Sequence, residues 1–526
     1  MARSSYIAGQ TPLHASHQFS PNICYVAFST ALFAVWIGFY LFEPFGFDSP
    51  GRDTWHHVAV LRELMAAPFA PSNPHIPTEE PSRYFTPVNV VAALLGKLLG
   101  LSPYALFGVM GAASCVGLVI GCWIFARRYY GTSWSPLALL LSLLFVWGLQ
   151  RGHAGLHNYA TFLTSAAYPS TIVFVVGFFQ WALVLGVMEE KKNFISRLLA
   201  IAGLTAFSLI VHQLSGVITA VMAGSFAVFH PRANAKAKTA AVGAIAIGTL
   251  IILGWPYFNI LDVLSSTSDP RWRSADTSMD ALSTALILAA PALIGILAFR
   301  KAPNGWRYEI LFPALFFTLI YTALEIQDSS IAHRLVPAIV LVGQLGTVWL
   351  IVDYLDNADR PRSLRLAVAA AFCFVCALSA GATGLKRSND LEMRASKGSL
   401  RSTAEALAAL LPVGSVAFAT ENIVFPLQST GRRVVSIPRP EPVAPSLATR
   451  QAATDLFFDD RTNNTERLKL IARWQATHAV FAATDLQPKV VAALRKLGAS
   501  TELSNTVDVV TFNLRDTGSA SHGNGQ

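Results

Sequence analysis

Charge is what this sequence has least of. Asp, Glu, Lys and Arg make up 13% of its 526 residues, while 53% are apolar, and mean hydropathy is +0.45. A soluble domain carries roughly 25% charged residues, so a wholly soluble chain is excluded. Lys and Arg are missing from the interiors of the long apolar runs. Cysteine is scarce too. The five are Cys24, Cys115, Cys122, Cys373 and Cys376, all inside apolar runs. That excludes a disulfide framework, and the CxxC of Cys373 and Cys376 reads as small packing residues in an apolar helix. No Gly-rich loop follows a strand, so nucleotide binding is unsupported. Low-complexity tracts and short fixed repeats are also lacking.

What is there, up to about residue 385, is a series of apolar runs of roughly 17–25 residues, the length that crosses a bilayer. They fall at 23–43, 103–126, 133–150, 170–188, 197–212, 215–230, 239–261, 281–299, 309–325, 333–353 and 364–385. A shorter stretch, 88–101, contains Lys97 and reads as interfacial or re-entrant. The fold class expected is a polytopic α-helical membrane protein of about eleven spans with a small extracytoplasmic α/β domain at its C-terminus. The first span lacks a cleavage site after it and reads as an uncleaved anchor.

The formal charge of +9 is no argument for nucleic acid, because its placement follows the membrane. Five short loops hold fourteen basic residues, among them Arg127, Arg128, Lys191, Lys192 and Arg232. The alternate, longer loops hold eight. Dense basic loops face the cytoplasm. The N-terminus is then cytoplasmic, and an odd number of spans puts the C-terminal domain outside.

Seven of the ten histidines before that domain fall on the outer face: His56, His57, His75, His153, His157, His212 and His333. A transporter would place ionisable groups within its spans; here the spans are nearly clean. The first external loop, 44–102, is the richest. Asp48 and Asp53 follow directly on the first span. Residues 54–66 have helical spacing, with Trp55, Val58, Leu61 and Met65 on one stripe, which suits a helix lying on the membrane. Asp53 and His57 share a face at a spacing of four, and a carboxylate beside a bound hydroxyl can serve as general base. The plainer readings are that Asp53 caps the helix, that Asp48 shapes a turn, and that His56 and His57 are interface residues. Asp53, His57 and a third loop residue could also furnish a divalent metal site, although the spacing is not diagnostic.

The remaining outer loops add Arg83, then Arg151 beside His153 and His157, the VHQLSG hairpin with His212, Arg271 and Arg273 around Trp272, and Asp328, His333 and Arg334 at the mouth of a span. Each alone is compatible with interfacial anchoring. Together they form a basic, hydrogen-bonding rim facing two or three carboxylates, a composition suited to a lipid phosphate.

The segments DSPGRDTWHHVAVLREL, VHQLSG, AHRLVPAI and GSVAFATENIVFPLQSTGRRVVSIP resemble the GT-C glycosyltransferases. The resemblance is to bacterial members that include the aminoarabinose and protein-mannosyl transferases and the rhizobial lipopolysaccharide family. It covers most of the chain in architecture. It implies an enzyme of the inner (plasma) membrane that takes a sugar from a polyprenyl-phosphate carrier and passes it, with inversion, to an extracytoplasmic glycan, lipid or protein. It further implies that Asp53, with Asp48 second, acts on the acceptor hydroxyl, and that Arg271, Arg273, Arg334 and His333 hold the departing phosphate. Many members pair their loop acids closely. Here four residues separate Asp48 from Asp53, so the choice of base stays open.

From about 386 to 515, helices alternate with short strands: helix 403–411, strand SVAFAT, strand RRVVSIP, helices near 447–458 and 464–475, strand HAVFAA, helix 487–497 and strand VDVVTFNL. That pattern is an α/β layer, expected to be a periplasmic domain capping the cavity or docking the acceptor. Residues 516–526 read as a disordered tail. Two other classes share these features, a flippase for lipid-linked saccharides and a non-catalytic envelope-assembly subunit.

Overall fold

A computed structural model describes residues 20–41, 52–146, 159, 162, 165–190, 193–265, 306–327, 329, 332–356, 360–395, 400–437, 446–503 and 509–515. After α1 (Pro21–Leu41) come two loop helices, α2 (Arg52–Ala66) and α3 (Pro87–Leu99). The chain continues through α4 (Pro103–Tyr129), α5 (Ser135–Leu141), α6 (Pro169–Glu189), α7 (Phe194–Val211), α8 (Gln213–Phe229), α9 (Ala235–Ile251) and the short α10 (Ile260–Ser265). Then follow α11 (Trp306–Ile326), α12 (Val336–Asp356) and α13 (Arg362–Ala395). Eight of these, α1, α4, α6, α7, α9, α11, α12 and α13, are long and apolar enough to cross a membrane. The protein is a multi-pass membrane protein. Two more expected spans appear as shorter apolar helices, α8 and α5 with its continuation to Val146. The run 281–299 lies outside the described residues.

Burial separates the inside of the bundle from its perimeter. The apolar windows of α6 and α12 are 83% and 78% buried, those of α1 and α13 22% and 11%. Lipid is as apolar as leucine, so helices associate through close packing and internal hydrogen bonds. Gly177 on α6 shows the first: a Cβ there would stand 2.7 Å from Thr219 Cγ2 on α8. Gln344 on α12 shows the second. Beyond α5 the chain makes a π-helical turn, Ser142–Val146. Gln344 Nε2 donates to the carbonyls of Ser142 and Leu143, each at 3.2 Å.

Helix α3 has 13 residues, about 20 Å at 1.5 Å per residue, too short to cross a hydrocarbon core of about 30 Å. Asn89, Ala92, Ala93 and Gly96 face the protein, while Leu94, Leu95, Leu98 and Leu99 are exposed.

The C-terminal part is built from α14 (Leu400–Leu410), β1 (Val416–Ala419), α15 (Glu421–Ser429), β2 (Arg433–Val434), α16 (Leu447–Phe458), α17 (Asn464–Trp474), β3 (His478–Ala482), α18 (Pro488–Lys496), β4 (Ser500–Leu503) and β5 (Val509–Asn513). The sheet order is β2-β1-β3-β5-β4. Strand β1 runs parallel to β2 and β3, and β5 runs antiparallel to β3 and β4. Side chains alternate across the sheet. Val416 and Phe418 enter one core with Phe457, Phe481 and Phe512. Ala417 and Ala419 enter the other with Leu407, Ile423, Leu427 and Val480.

That second core includes Ile76, fully buried and contributed by the loop between α1 and α4. The backbone continues the match, since Val434 N donates to His75 O at 2.9 Å. The loop thus lies against the edge of the sheet at β2. The first loop and the α/β part are therefore packed together on one side of the bundle.

Candidate active site

The site is assembled on the first loop, and the loop is held in a defined shape by its own composition. Between residues 68 and 87 it carries six prolines, each fixing φ and removing a backbone donor. Several of the remaining donors are met locally. Asn73 Oδ1 accepts from the backbone N of His75 and Ile76 at 3.0 and 3.2 Å. Glu63 on α2 accepts from Ser72 N and Oγ at 3.0 and 2.7 Å. Residues beyond α9 pin the loop from the bundle: Trp255 Nε1 donates to Phe85 O and the Tyr257 hydroxyl to Pro68 O.

Helix α2 then presents His56 and His57, both buried, to two surroundings. A His56 ring nitrogen lies 3.3 Å from His75 Nε2, and its ring packs at 5.0 Å against Phe425 of α15. The His57 ring stacks on Phe107 of α4, at 5.8 Å and 14°. Its Nδ1 is buried with no hydrogen-bond partner among the described residues, an arrangement that costs about 1–3 kcal/mol unless something supplies the bond. Next to it, the hydroxyls of Thr54 and Tyr168 share a hydrogen bond of 2.9 Å.

Two arginines complete the cluster. Arg83 Nη2 donates to the Tyr84 hydroxyl at 3.1 Å, and its guanidinium lies 5.0 Å from the Tyr84 ring centroid. Arg334 sits on the 3₁₀ turn Ala332–Leu335 that opens into α12. His212 stands at the sharp joint between α7 and α8, where Nδ1 accepts from Ser215 N at 3.2 Å. That bond assigns the ring proton to Nε2, leaving an N–H donor on the opposite edge of the ring.

The charges of these groups act on one another. Burial, then the Arg83 charge, push His57 down to about 3. His75 falls to about 3 through burial, then His57 and Arg83. His212 also falls to about 3 through burial, then Arg334, Arg83 and His57. His56 is lowered by burial and then by His75. Arg334 itself is lowered by burial and then by Arg83. Positive charge here therefore comes from the guanidiniums. The imidazoles, read from sequence as part of a basic rim, are neutral hydrogen-bonding groups near pH 7.

The sequence-identified residues sort as follows. His56, His57, Arg83, His212 and Arg334 come together with His75. Asp53 lies in the first turn of α2, since the helix starts at Arg52, and is thus one turn from His57 rather than ahead of the helix. His333 lies on the 3₁₀ turn beside Arg334. Asp48, Arg271, Arg273, His153 and His157 lie outside the described residues. Among the described residues no trio of His, Cys, Asp or Glu is grouped to hold a metal ion. Tyr84 and Tyr168 were not read from the sequence. The available signal was a tyrosine next to the loop arginine, and another immediately before the proline that opens α6.

No sequence-family profile and no curated protein sequence matches the chain. Solved structures do. ArnT from Cupriavidus metallidurans, bound to undecaprenyl phosphate, superposes with a TM-score of 0.53 over 93% of this chain and 97% of its own, at 15% identity. The arabinofuranosyltransferase AftD from Mycobacteria gives a TM-score of 0.58 at 16% identity, over 96% of this chain but 40% of AftD. The apo oligosaccharyltransferase of Archaeoglobus fulgidus gives 0.52 at 10% identity, over 87% of this chain and 69% of its own. This chain has the GT-C fold. The similarity to ArnT runs through both the bundle and the α/β part. Within this fold the charged cluster joins the loop after the first span to the α7–α8 joint and the entrance of α12.

Proposed function

We propose that the protein is an integral-membrane glycosyltransferase that moves a sugar from a polyprenyl-phosphate carrier to an acceptor hydroxyl on the extracytoplasmic face of a bacterial inner membrane. The observation that carries this is the convergence of Arg83 and Arg334 with His57 and His212, from three separate stretches of the chain, where the first loop meets the bundle. Two guanidiniums and neutral imidazole donors suit a phosphate reached from the lipid. The solved neighbours support the same reading, one of them holding undecaprenyl phosphate.

In this scheme the carboxylate of Asp53, with Asp48 the second candidate, takes the proton of the acceptor hydroxyl. The hydroxyl oxygen attacks the anomeric carbon from the face opposite the phosphate. The C–O bond to the phosphate breaks with inversion, and the electron pair leaves on the phosphate oxygen. Arg83, Arg334 and the His212 Nε2–H stabilise the charge that grows there, with His333, Arg271 and Arg273 as further phosphate ligands. Removing one such fixed donor costs about 10²–10³ in rate. The partners are a polyprenyl-linked donor and an envelope glycan, lipid or protein acceptor.

The test is transfer in reconstituted membranes from a panel of lipid-linked sugars, chosen by comparing envelope glycans of wild-type and deletion strains. Asp53→Asn should abolish transfer while donor binding persists. If Asp53→Asn and Asp48→Asn both transfer at the wild-type rate, neither carboxylate is the base. If the wild-type protein transfers from no lipid-linked donor, the enzyme reading fails.

A further inference from the structure

The α/β part holds a second concavity, away from the charged cluster. A cavity of about 270 Å³ opens beyond the C-terminal ends of β1 and β3. Topology accounts for it. The chain leaves β1 through α15 to reach β2 on one side, and later returns through α16 and α17 to β3 on the other. Parallel strands whose connections depart in opposite directions leave a crevice outside their carboxyl ends, where α/β sheets bind ligands.

The lining has a definite chemistry. Glu421, Asp455 and Asp485 bring carboxylates, and Gln451 and Gln487 bring amides. Phe458, half-buried, supplies apolar ring surface, and the buried Phe481 backs it edge-on at 5.0 Å and 73°. Part of this is pre-ordered: Ser436 Oγ donates to Gln451 Oε1 at 2.9 Å, and Gln451 Nε2 donates to Asp455 Oδ1 at 3.0 Å. No Lys, Arg or His is among the described residues that line the cavity, so a phosphate or carboxylate ligand would meet charge of its own sign. The carboxylates are not grouped as a metal site. Ring surface flanked by fixed acceptors and amides fits a polyhydroxyl ring.

Helix α15 links the two places. Glu421 and Val424 line the cavity, Phe425 packs against His56, and Ser429 accepts from Arg62 of α2. Glu421 is four residues, about 6 Å at 1.5 Å each, from Phe425, so the cavity lies one turn beyond the His56 contact along that helix. We propose that it is a subsite for a distal sugar ring of the acceptor glycan, taking neutral or amino sugars and rejecting uronates. The word acceptor rests on the glycosyltransferase reading; the saccharide specificity rests on the cavity.

The experiment uses the full chain in nanodiscs and saturation-transfer NMR with methyl glycosides of glucose, galactose, mannose, N-acetylglucosamine, glucosamine and glucuronic acid. At least one neutral or amino glycoside should bind, and the glucuronide about tenfold more weakly or not at all. Asp455→Asn and Gln451→Ala should each weaken the binding about tenfold with unchanged thermal melting. Once a transfer assay exists, Gln451→Ala should raise KM for the acceptor and leave kcat in place. The proposal is overturned if no glycoside binds, if the glucuronide binds as well as the rest, or if both variants bind like wild type. Glycoside binding without transfer from any lipid-linked donor would instead sink the glycosyltransferase reading and leave a saccharide site. Transfer with an unaltered acceptor KM in Gln451→Ala would remove the acceptor role alone.

Discussion

The bundle and the seam between first loop and α/β part draw on the same contacts in different proportion. The bundle leans on packing, with a few buried hydrogen bonds such as those of Gln344. The seam leans on hydrogen bonds around a small apolar core. Inside the bundle, α6 meets its neighbours through rings and small residues: Phe125, Phe178, Trp181 and Phe226 form one aromatic group, and glycines let helices approach. The seam is fastened by directed hydrogen bonds between residues far apart in sequence. Arg62 Nε donates to Ser429 O at 3.0 Å, Tyr104 and Ser429 share a hydroxyl bond at 2.8 Å, and Arg433 Nη2 donates to Ser72 Oγ at 2.7 Å. Apolar packing sets which elements meet but is non-directional; hydrogen bonds also set where each atom lies. The charged cluster grows out of the directed side, because α2 carries both His57 and Arg62.

The sharpest way to break this contrast is Ile76→Ala. A fully buried side chain shared between loop and sheet should cost about 2–5 kcal/mol, read as faster hydrogen exchange in β1, β2 and residues 72–77. Leu378 on α13 is 56% exposed at the bundle perimeter, and Leu378→Ala should change stability by no more than about 0.5 kcal/mol. Equal effects would mean that the seam is no more cooperative than the lipid-facing surface.

Acid should loosen the loop side before the bundle. His57, His75 and His212 have folded pKa values near 3, against about 6.5 in an unfolded chain. The unfolded state therefore binds protons first as pH falls. The stability is fully present above about pH 6.5 and declines toward pH 3, by about 1 kcal/mol per histidine between pH 7.5 and 5.5. His56 and His478 are lowered as well, so melting curves in nanodiscs across that range should show the decline, and His57→Gln should remove about a fifth of it. A flat profile would mean that these imidazoles are solvated.

On the bundle side the corresponding change is Gly216→Ala. A Cβ at Gly216 would stand 2.7 Å from Leu209 Cα and Ser208 O, backbone that cannot turn aside. Overpacking of that kind costs about 1–3 kcal/mol. It would open the α7–α8 joint and move His212, so donor binding should weaken together with the melting temperature.

Much of this architecture was legible because the bilayer imposes a length and a polarity on every span. The outer loops could be singled out for the same reason: His212 and Arg334 stand out against apolar surroundings. Tyr84 and Tyr168 did not, since a tyrosine at a helix entrance is common in membrane proteins whatever it touches. Helix α15 was missed because Pro426 lies inside it, and a proline in a short apolar run argues against a helix. Strand β4, STEL, is too polar to announce itself. Ile76 was illegible in principle, as its partners lie more than 300 positions further along the chain. Asp48, Arg271 and Arg273, named from sequence, lie outside the described residues, so their roles rest on the resemblance alone.

The smallest expected effect tests the finest point, whether the seam's polar bonds position rather than merely stabilise. Arg62→Ala removes one bond to Ser429 O and should cost only about 0.5–1.5 kcal/mol. Arg62 is one and a half turns from His57 on the same helix, and its bond fixes the end of α15 against α2. If that bond aims the cluster, Arg62→Ala should lower kcat more than its stability loss accounts for, and Arg62→Lys, which keeps charge but not the Nε geometry, should restore melting without restoring kcat. If Arg62→Lys recovers both together, the seam acts through stability alone, and the directed contacts are no more specific than the packing inside the bundle.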